Sequence, residues 1–269
     1  MYHLLSLFIS AFSFSTLFAA TFTFGVVPQQ SPFKLVKVWQ PVADYLEHAT
    51  GDKFILKVEH SITKFEQKLY NGEYDIAYMN PYHYIVANKK NGYIAKIRNN
   101  KNLVGILVAK KNNIVLDISM VKNSQFLFPA PYAFAATLLI KYELLKQFGI
   151  NIDTNNKLKY VNSHDSVYKG IARGIGDVGG GIERTFNNLY DKKSKEALVI
   201  LYKTKSYPSH VIAFKKDIPE KKIDKISKAI LKIPDEILST LSMQKLIRTD
   251  DSSYDIVRDI LKELSLNNE

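Results

Sequence analysis

The chain has no cysteine anywhere in its 269 residues. That absence excludes a disulfide scaffold, a thiolate metal site, a thiol nucleophile and attachment to a lipid through an N-terminal cysteine. Histidine is scarce, and His48, His60, His83, His164 and His210 show neither HxxxH nor HExxH spacing. Neither a metal nor any other cofactor is therefore expected. Acidic residues are in deficit, 26 against 37 basic ones, for a formal charge of +11. Many lysines fall in pairs, such as Lys89-Lys90, Lys110-Lys111 and Lys192-Lys193, which read as solvated surface. Nucleic acid is a poor partner for a chain that carries an export signal, so the excess charge points to surface or to a field that favours anions. Long apolar runs are lacking except at the start, where MYHLLSLFISAFSFSTLFAA is uncharged and ends in small residues. Residues 1–20 read as a secretory leader cleaved after Ala19 or Ala20, with a retained anchor as the competing reading. Export without disulfides points to a bacterial periplasm.

About 250 residues remain beyond the leader, enough for one large or two medium domains. TFTFGVV at Thr21 to Val27 reads as a first strand. Ser31-Pro32 opens a helix whose apolar residues recur at helical spacing, with Pro41 expected to kink or divide it and Gly51 to stop it. KFILKVE at Lys53 to Glu59 is a second strand, and Thr63 to Glu66 is a capping-box pattern for a short helix. YDIAYMNPYHY, from Tyr74 to Tyr84, runs a short strand into an Asn-Pro turn, with tyrosines and His83 at the strand's carboxyl end. Open α/β sheets build their ligand crevices at such ends.

A helix at His83 to Lys90, a strand at Leu103 to Ala109, a strand at Gln125 to Phe128 and a helix from Phe134 to Phe148 follow. Then come a strand at Lys159 to Val161, a helix at Asp165 to Arg173 and a glycine-rich strand at Asp177 to Ile182. Leu198 to Tyr202 and Val211 to Phe214 are further strands, and the tail from Asp217 to Leu266 is almost entirely helical. Two βα units with a helical tail predict an α/β protein of two lobes, the chain leaving the first lobe and later returning. The expected division is 21–108 plus 209–269 for lobe one and 109–208 for lobe two.

Gly174 to Gly179 satisfies GxGxxG, but the glycines follow a helix and enter a strand, the reverse of a dinucleotide-binding turn. A helix stop at Gly174 and a strand that admits close approach fit better. Ser163, His164 and Asp165 are triad residue types, yet neighbours in sequence point apart and cannot converge as a hydrolytic triad must. No catalytic set is expected. Ser163 or Asp165 serves instead as a helix N-cap, placing His164 at an amino-terminal entrance that attracts anions. FPAPYAFAA, from Phe128 to Ala136, gives a second such entrance without hydroxyl side chains.

Taken together, FGVVPQQSP, YDIAYMNPYHY, FPAPYAFAATLL, SHDSVY and GGGIERTF, in this order and spacing, resemble the phosphate/phosphite/phosphonate ABC-transporter substrate-binding proteins. The resemblance covers essentially the whole chain after the leader. It implies a type II periplasmic-binding-protein fold, in which two α/β lobes joined by two crossover strands close over a ligand, and delivery of that ligand to an inner-membrane permease. A monomer is the family expectation. In phosphonate binders of this family, hydroxyl-bearing residues at the helix entrance hold the anion, whereas this chain has Ala133, Phe134 and Ala135. His164 matches the family histidine and Glu183 the acidic residue of the glycine-rich strand. His210 falls near the position of the carboxylate that binds an amine in aminoalkylphosphonate binders, which disfavours that ligand here. The expected site is Tyr78, Asn80, Tyr82 and His83 from lobe one, Tyr132, His164 and Glu183 from lobe two, and His210 near the hinge. The alternative is a sensing subunit that reports a different small anionic or aromatic ligand to a membrane kinase or receptor.

Overall fold

The computed structural model describes residues 19–112, 117–154 and 157–266. The expected leader lies almost entirely outside the described residues. Among them, no helix is long and apolar enough to cross a membrane.

The first sheet has the order β11-β4-β10-β3-β1-β2. Its strands are β1 (Thr21–Val26), β2 (Lys53–Val58), β3 (Ile76–Met79), β4 (Ile94–Asn99), β10 (Val211–Phe214) and β11 (Leu246–Arg248). β1 pairs in parallel with β2 and β3, while β10 runs antiparallel between β3 and β4. The parallel pairs follow from the helical crossovers α1 (Pro32–Thr50) and α2 (Ile62–Tyr70), since parallel neighbours need a long connection. α3 (Pro81–Asn91) follows β3 directly. The second sheet has the order β7-β6-β8-β5-β9. Its strands are β5 (Leu103–Lys110), β6 (Phe126–Phe128), β7 (Leu158–Tyr160), β8 (Val178–Ile182) and β9 (Leu198–Tyr207), accompanied by α4 (Leu139–Phe148), α5 (His164–Ala172), α6 (Glu183–Asn187) and α7 (Lys192–Glu196). The tail forms α8 (Glu220–Ile230), α9 (Asp235–Thr240) and α10 (Asp255–Glu263).

β5 belongs to the second sheet along its whole length, so the chain changes sheet between Asn99 and Leu103 rather than at residue 109. It returns between Tyr207 and Val211. Both faces of the central strands β5 and β8 of the second sheet are covered. Leu107 and Ala109 enter one core with Phe126 and Phe128, while Ile106 and Val108 enter another with Leu127, Val167 and Ile171. That is the two-residue alternation of a strand. The core of the first sheet does not stop at its own lobe: it continues into Ala130 to Leu139 of the second. The two lobes are therefore closed directly on each other.

Local expectations differ in four places. α1 runs unbroken through Pro41, held by the buried face of Leu35, Trp39, Val42, Ala43 and Leu46, which outweighs one lost backbone bond. α2 is capped not by Thr63 but by Ser61, whose hydroxyl accepts from the Lys64 N–H at 3.2 Å. Glu66, the acid of the expected box, turns inward instead. β4 and β11 were not foreseen; β11 interrupts the helical tail and pairs antiparallel with β4 at the sheet edge. Lastly, the helix expected from Phe134 begins with a π-turn, Phe134–Leu138, before α4.

Candidate functional site

Four strands end at the cleft. After β1 come Val27 and Gln29, after β3 Asn80, after β6 the loop to Ala136, and after β8 Arg184. These are the carboxyl ends of parallel strands within each sheet, where open α/β sheets form crevices. β10 runs antiparallel to β3 with Val211 opposite Met79, so His210, just before it, arrives at the same edge. Here a small cavity of ≈ 10 Å³ is lined by Val27, Gln29, Ile62, Asn80, Ala133 to Ala136, His164, Ile182 and His210. That is about the room of one water molecule.

The glycines of β8 create this convergence. A Cβ on Gly179 would lie 2.6 Å from Val167, and one on Gly181 would lie 2.1 Å from the Tyr168 hydroxyl, so α5 sits hard against one face of the strand. On the other face, a Cβ on Gly180 would lie 2.0 Å from the Ala136 carbonyl oxygen. The π-turn is thus seated on bare backbone. Gly105 of β5 makes room in the same way for the Ala135 carbonyl. Two helix starts are drawn to the same edge of the sheet because side chains are missing between them and the strands.

Each start is capped differently. Ser163 caps α5, its hydroxyl accepting from the Ser166 N–H at 3.2 Å, and His164 is the first helical residue. Asn80 caps α3, its Oδ1 accepting from the His83 N–H at 2.8 Å, while its Nδ2 donates to the Tyr132 carbonyl across the cleft at 3.2 Å. The π-turn has no side-chain cap. Its Ala133 carbonyl accepts from Thr137 N–H and Leu138 N–H, at 2.8 and 3.3 Å. Phe134, Ala135 and Ala136 lie in the first turn, where backbone N–H groups lack an intrahelical acceptor. The Thr137 hydroxyl donates to the Ala130 carbonyl at 2.8 Å and is spent holding the loop. A π-turn in a helix is a frequent mark of a functional site.

The cavity is electrically unusual. His164 and His210 are each only 2 % exposed. Burial, with the Arg184 guanidinium adding to it, holds His164 down at about 3. His210 is held well below the ordinary histidine value by burial and then by Arg184, His83 and His164. Both rings are therefore neutral at physiological pH. The proton position of His210 follows from its neighbours. Arg184 Nη2 donates to Gln29 Oε1 at 3.4 Å and to the Tyr78 hydroxyl at 3.2 Å. Since guanidinium only donates, the Gln29 amide nitrogen must be the group 3.0 Å from His210 Nε2. That nitrogen is a donor, so His210 accepts at Nε2 and carries its proton on Nδ1. Among the described residues His210 Nδ1 has no partner, and neither does His164 Nδ1. Buried polar atoms without partners carry a free-energy cost.

Of the residues expected from sequence, Asn80, His164 and His210 line the cavity together. Tyr78 stands behind it, stacked on His210 at 5.2 Å and tilted against Trp39 at 4.7 Å. Tyr82 and Tyr132 stack on each other at 4.8 Å, one from each lobe, forming a clasp rather than a cavity wall. His83 is fully buried beneath α3, with Nε2 2.9 Å from the Glu66 carboxylate, and ties α3 to α2. Glu183 does not line the small cavity; it accepts from Lys203 Nζ at 2.5 Å and lines, together with Arg184, a separate pocket of ≈ 250 Å³ beside residues 99–104. One position along the chain, Arg184 takes the place facing the cleft. Arg184 and Gln29 were not anticipated. Both follow the carboxyl end of a cleft-facing strand, β8 for Arg184 and β1 for Gln29, and that is the signal that could have singled them out.

This arrangement, two α/β lobes shut over a small polar cavity ringed by helix starts, is that of a two-lobed solute-binding protein. The family model for "ABC transporter, phosphonate, periplasmic substrate-binding protein" matches residues 24–254. The chain belongs to that family. Its fold is the type II periplasmic-binding-protein fold, seen in a binding-protein component of an ABC phosphonate transporter from Pseudomonas aeruginosa with a TM-score of 0.83 at 14 % identity, covering 93 % of this chain and 90 % of that one. PhnD1 from Prochlorococcus marinus, solved with methylphosphonate, matches with a TM-score of 0.83 at 18 % identity over 91 % of this chain and 98 % of its own. The VFT2 domain of BvgS from Bordetella pertussis is similar at a TM-score of 0.59 and 16 % identity, over 82 % of this chain and 92 % of that domain.

Proposed function

We infer that this protein captures a small phosphorus oxyanion, of the phosphate, phosphite or phosphonate type, between its lobes in the periplasm and hands it to an ABC permease. The observation that carries the reading is the convergence on one cavity of the α3 and α5 starts and the π-turn, together with unpartnered Nδ1 atoms on two buried histidines. Helix starts offer N–H groups and a favourable dipole to an anion. His210 Nδ1–H is a donor of the same sense. Arg184 supplies the positive charge. Among the described residues it makes no ion pair with a carboxylate; Tyr78 and Gln29 are its side-chain partners.

Magnitudes support a charged ligand. Micromolar affinity requires about 8 kcal/mol, and a helix start contributes at most about 2 kcal/mol. Charge-assisted hydrogen bonds of about 1.5–3 kcal/mol each supply the remainder. The Ala133 to Ala135 stretch gives backbone donors only, so Arg184 and the histidines stand in for hydroxyls. An oxyanion exceeds the ≈ 10 Å³ of the closed cavity; the lobes part to admit it.

Differential scanning fluorimetry with phosphate, phosphite, methylphosphonate, aminoethylphosphonate and sulfate tests the reading. Saturable stabilisation by a phosphorus oxyanion, lost in His164→Ala, is the expected result. Silence across the panel would refute it.

A second reading has its own support. The lobes contact each other through Asn80 and Tyr132, Tyr82 and Tyr132, and Arg184 and Tyr78, so closure is stabilised by the protein's own side chains. A sensing subunit that signals through ligand-driven opening would use the same contacts, and the similarity to a solved histidine kinase sensor domain, at a TM-score of 0.55 and 10 % identity over 90 % of this chain and 95 % of that one, is in keeping with it. Opening rather than closing on ligand addition would favour sensing.

A further inference from the structure

At the amino-terminal end of β1, away from the cleft, lies a buried carboxylate with one oxygen unused. Gly51 stops α1 in the left-handed conformation, at φ 70°, and the turn it makes brings Asp52 beside Ala20 just before β2 begins. Asp52 is 1 % exposed. Its Oδ1 accepts from Lys222 Nζ of α8 at 2.5 Å and from the Ala20 N–H at 2.9 Å. Its Oδ2 is buried and has no hydrogen-bond partner among the described residues. Burial pushes the carboxyl up, but the hydrogen bonds from Lys222 and Ala20 draw it further down, below the ordinary carboxylate value, so the group is ionised. Lys225, on the same helix, is turned to the Thr50 carbonyl at 2.5 Å instead. A carboxylate oxygen buried without a donor carries a free-energy cost.

The fold holds Ala20 on three sides. Its N–H binds Asp52, its carbonyl accepts from the Lys53 N–H at 2.7 Å, and its methyl packs against the core of the first sheet. Ala19 is exposed. Two leader cleavage points are open from sequence, after Ala19 or after Ala20. A cut after Ala20 would remove the residue that Asp52 and Lys53 bind, and would set Phe18 three places before the break. A cut after Ala19 keeps both bonds and sets Leu17 there. Leader cleavage sites want small residues around the break, which favours Leu over Phe.

We propose that the leader is cut between Ala19 and Ala20 and that Asp52 is the receptor for the α-amine so created. The proposal rests on the reading of residues 1–20 as an export leader. A leader peptidase adds water across the Ala19–Ala20 peptide bond: the C–N bond breaks, the Ala19 carbonyl carbon takes the oxygen and leaves as a carboxylate, and the Ala20 nitrogen takes both water protons to become an ammonium. One peptide N–H is thereby replaced by three charged N–H donors, beside a carboxylate with an oxygen to spare. Maturation turns a hydrogen bond into an ion pair at the head of β1, the strand whose other end leads into Val27 and Gln29 at the cleft.

The intact mass of protein recovered from the periplasm of a Gram-negative host reads the cut directly. A chain beginning at Ala20 is expected. A chain with any other first residue, or one that keeps its leader, would overturn the proposal and leave anion capture to its own titration. Thermal melting reads the pair: the form beginning at Ala20 is expected to melt about 2–4 °C above a cytoplasmic form in which Met, Phe18 and Ala19 still precede Ala20. Asp52→Asn should shrink that gap to under about 1 °C. Lys222→Met, which leaves the ammonium as the carboxylate's one hydrogen-bonded cation, should widen it, and this holds the test open if Asp52→Asn does not fold. Equal melting of the two wild-type forms would overturn the role of Asp52.

Discussion

His164 and His210 are neutral rings at the centre of a basic protein, and their surroundings keep them so. The folded-state values lie below that of an unfolded histidine, so the unfolded chain takes up protons first as pH falls. Stability is therefore complete above about pH 6.5 and is lost progressively as pH drops from there toward the folded values. Each ring contributes a slope of up to about 1.4 kcal/mol per pH unit in that window. Urea unfolding between pH 7 and pH 5 should show this loss. The double variant His164→Gln/His210→Gln should flatten it, and an unchanged slope would mean the rings are charged or exposed. At the same scale, Arg184→Gln removes a cleft cation that has no carboxylate partner among the described residues. With charge-assisted hydrogen bonds contributing about 1.5–3 kcal/mol, affinity for the captured oxyanion should fall about 10- to 150-fold. A change under threefold by calorimetry would show that Arg184 does not face the anion. At this level the sequence was only partly legible. The helix-entrance role of His164 could be read from its Ser163 cap. Which of Glu183 and Arg184 faces the cleft could not, because that depends on Lys203 from a distant strand capturing the Glu183 carboxylate.

Among the elements, β8 decides most. Its run of glycines was legible as a strand that something approaches closely, and what approaches is α5 on one face and the π-turn on the other. Gly180→Ala would force a Cβ to 2.0 Å from the Ala136 carbonyl. Because that neighbour is backbone, the cost should reach about 3 kcal/mol, at the upper end of overpacking. Urea denaturation measures it, and a loss below about 1 kcal/mol would mean the π-turn can lift off the strand. The π-turn itself was not legible. FPAPYAFAATLL has ordinary helical spacing, and the widened turn lies in backbone bonds that reach five residues back, from Leu138 N–H to the Ala133 carbonyl and from Leu139 N–H to the Phe134 carbonyl, while the Thr137 hydroxyl binds the Ala130 carbonyl of the preceding loop. β4 and β11 escaped notice for a related reason: IAKIRN and LIR are short edge-side segments whose strand character comes from pairing with each other and with β10.

For the molecule as a whole, two lobes and a returning chain were visible in the order of strands and helices, but the degree of closure was not. Contacts across the cleft join residues far apart in sequence: Tyr82 with Tyr132, Arg184 with Tyr78. An aromatic pair of this kind contributes about 0.5–1.5 kcal/mol beyond its burial. Tyr132→Ala should therefore shift the population toward open lobes, seen as a larger radius of gyration in small-angle X-ray scattering. Identical curves for variant and wild type would remove the clasp from the account. Buried Glu143 adds rigidity on the far side, accepting from the Tyr202 and Tyr207 hydroxyls at 2.6 and 2.9 Å and so fixing the return strand β9 to α4. The chain passes between the two sheets at residues 100–102 and 208–210.

The central claim is that an anion is bound between these lobes, and the most direct measurement is a titration of purified protein with phosphorus oxyanions and organophosphates, followed by calorimetry at low salt with sulfate as the control. The account predicts saturable one-to-one binding of at least one phosphorus anion, much tighter than sulfate and reduced at least tenfold in Arg184→Gln. Binding that ignores Arg184, or tight binding of an uncharged ligand instead, would contradict it.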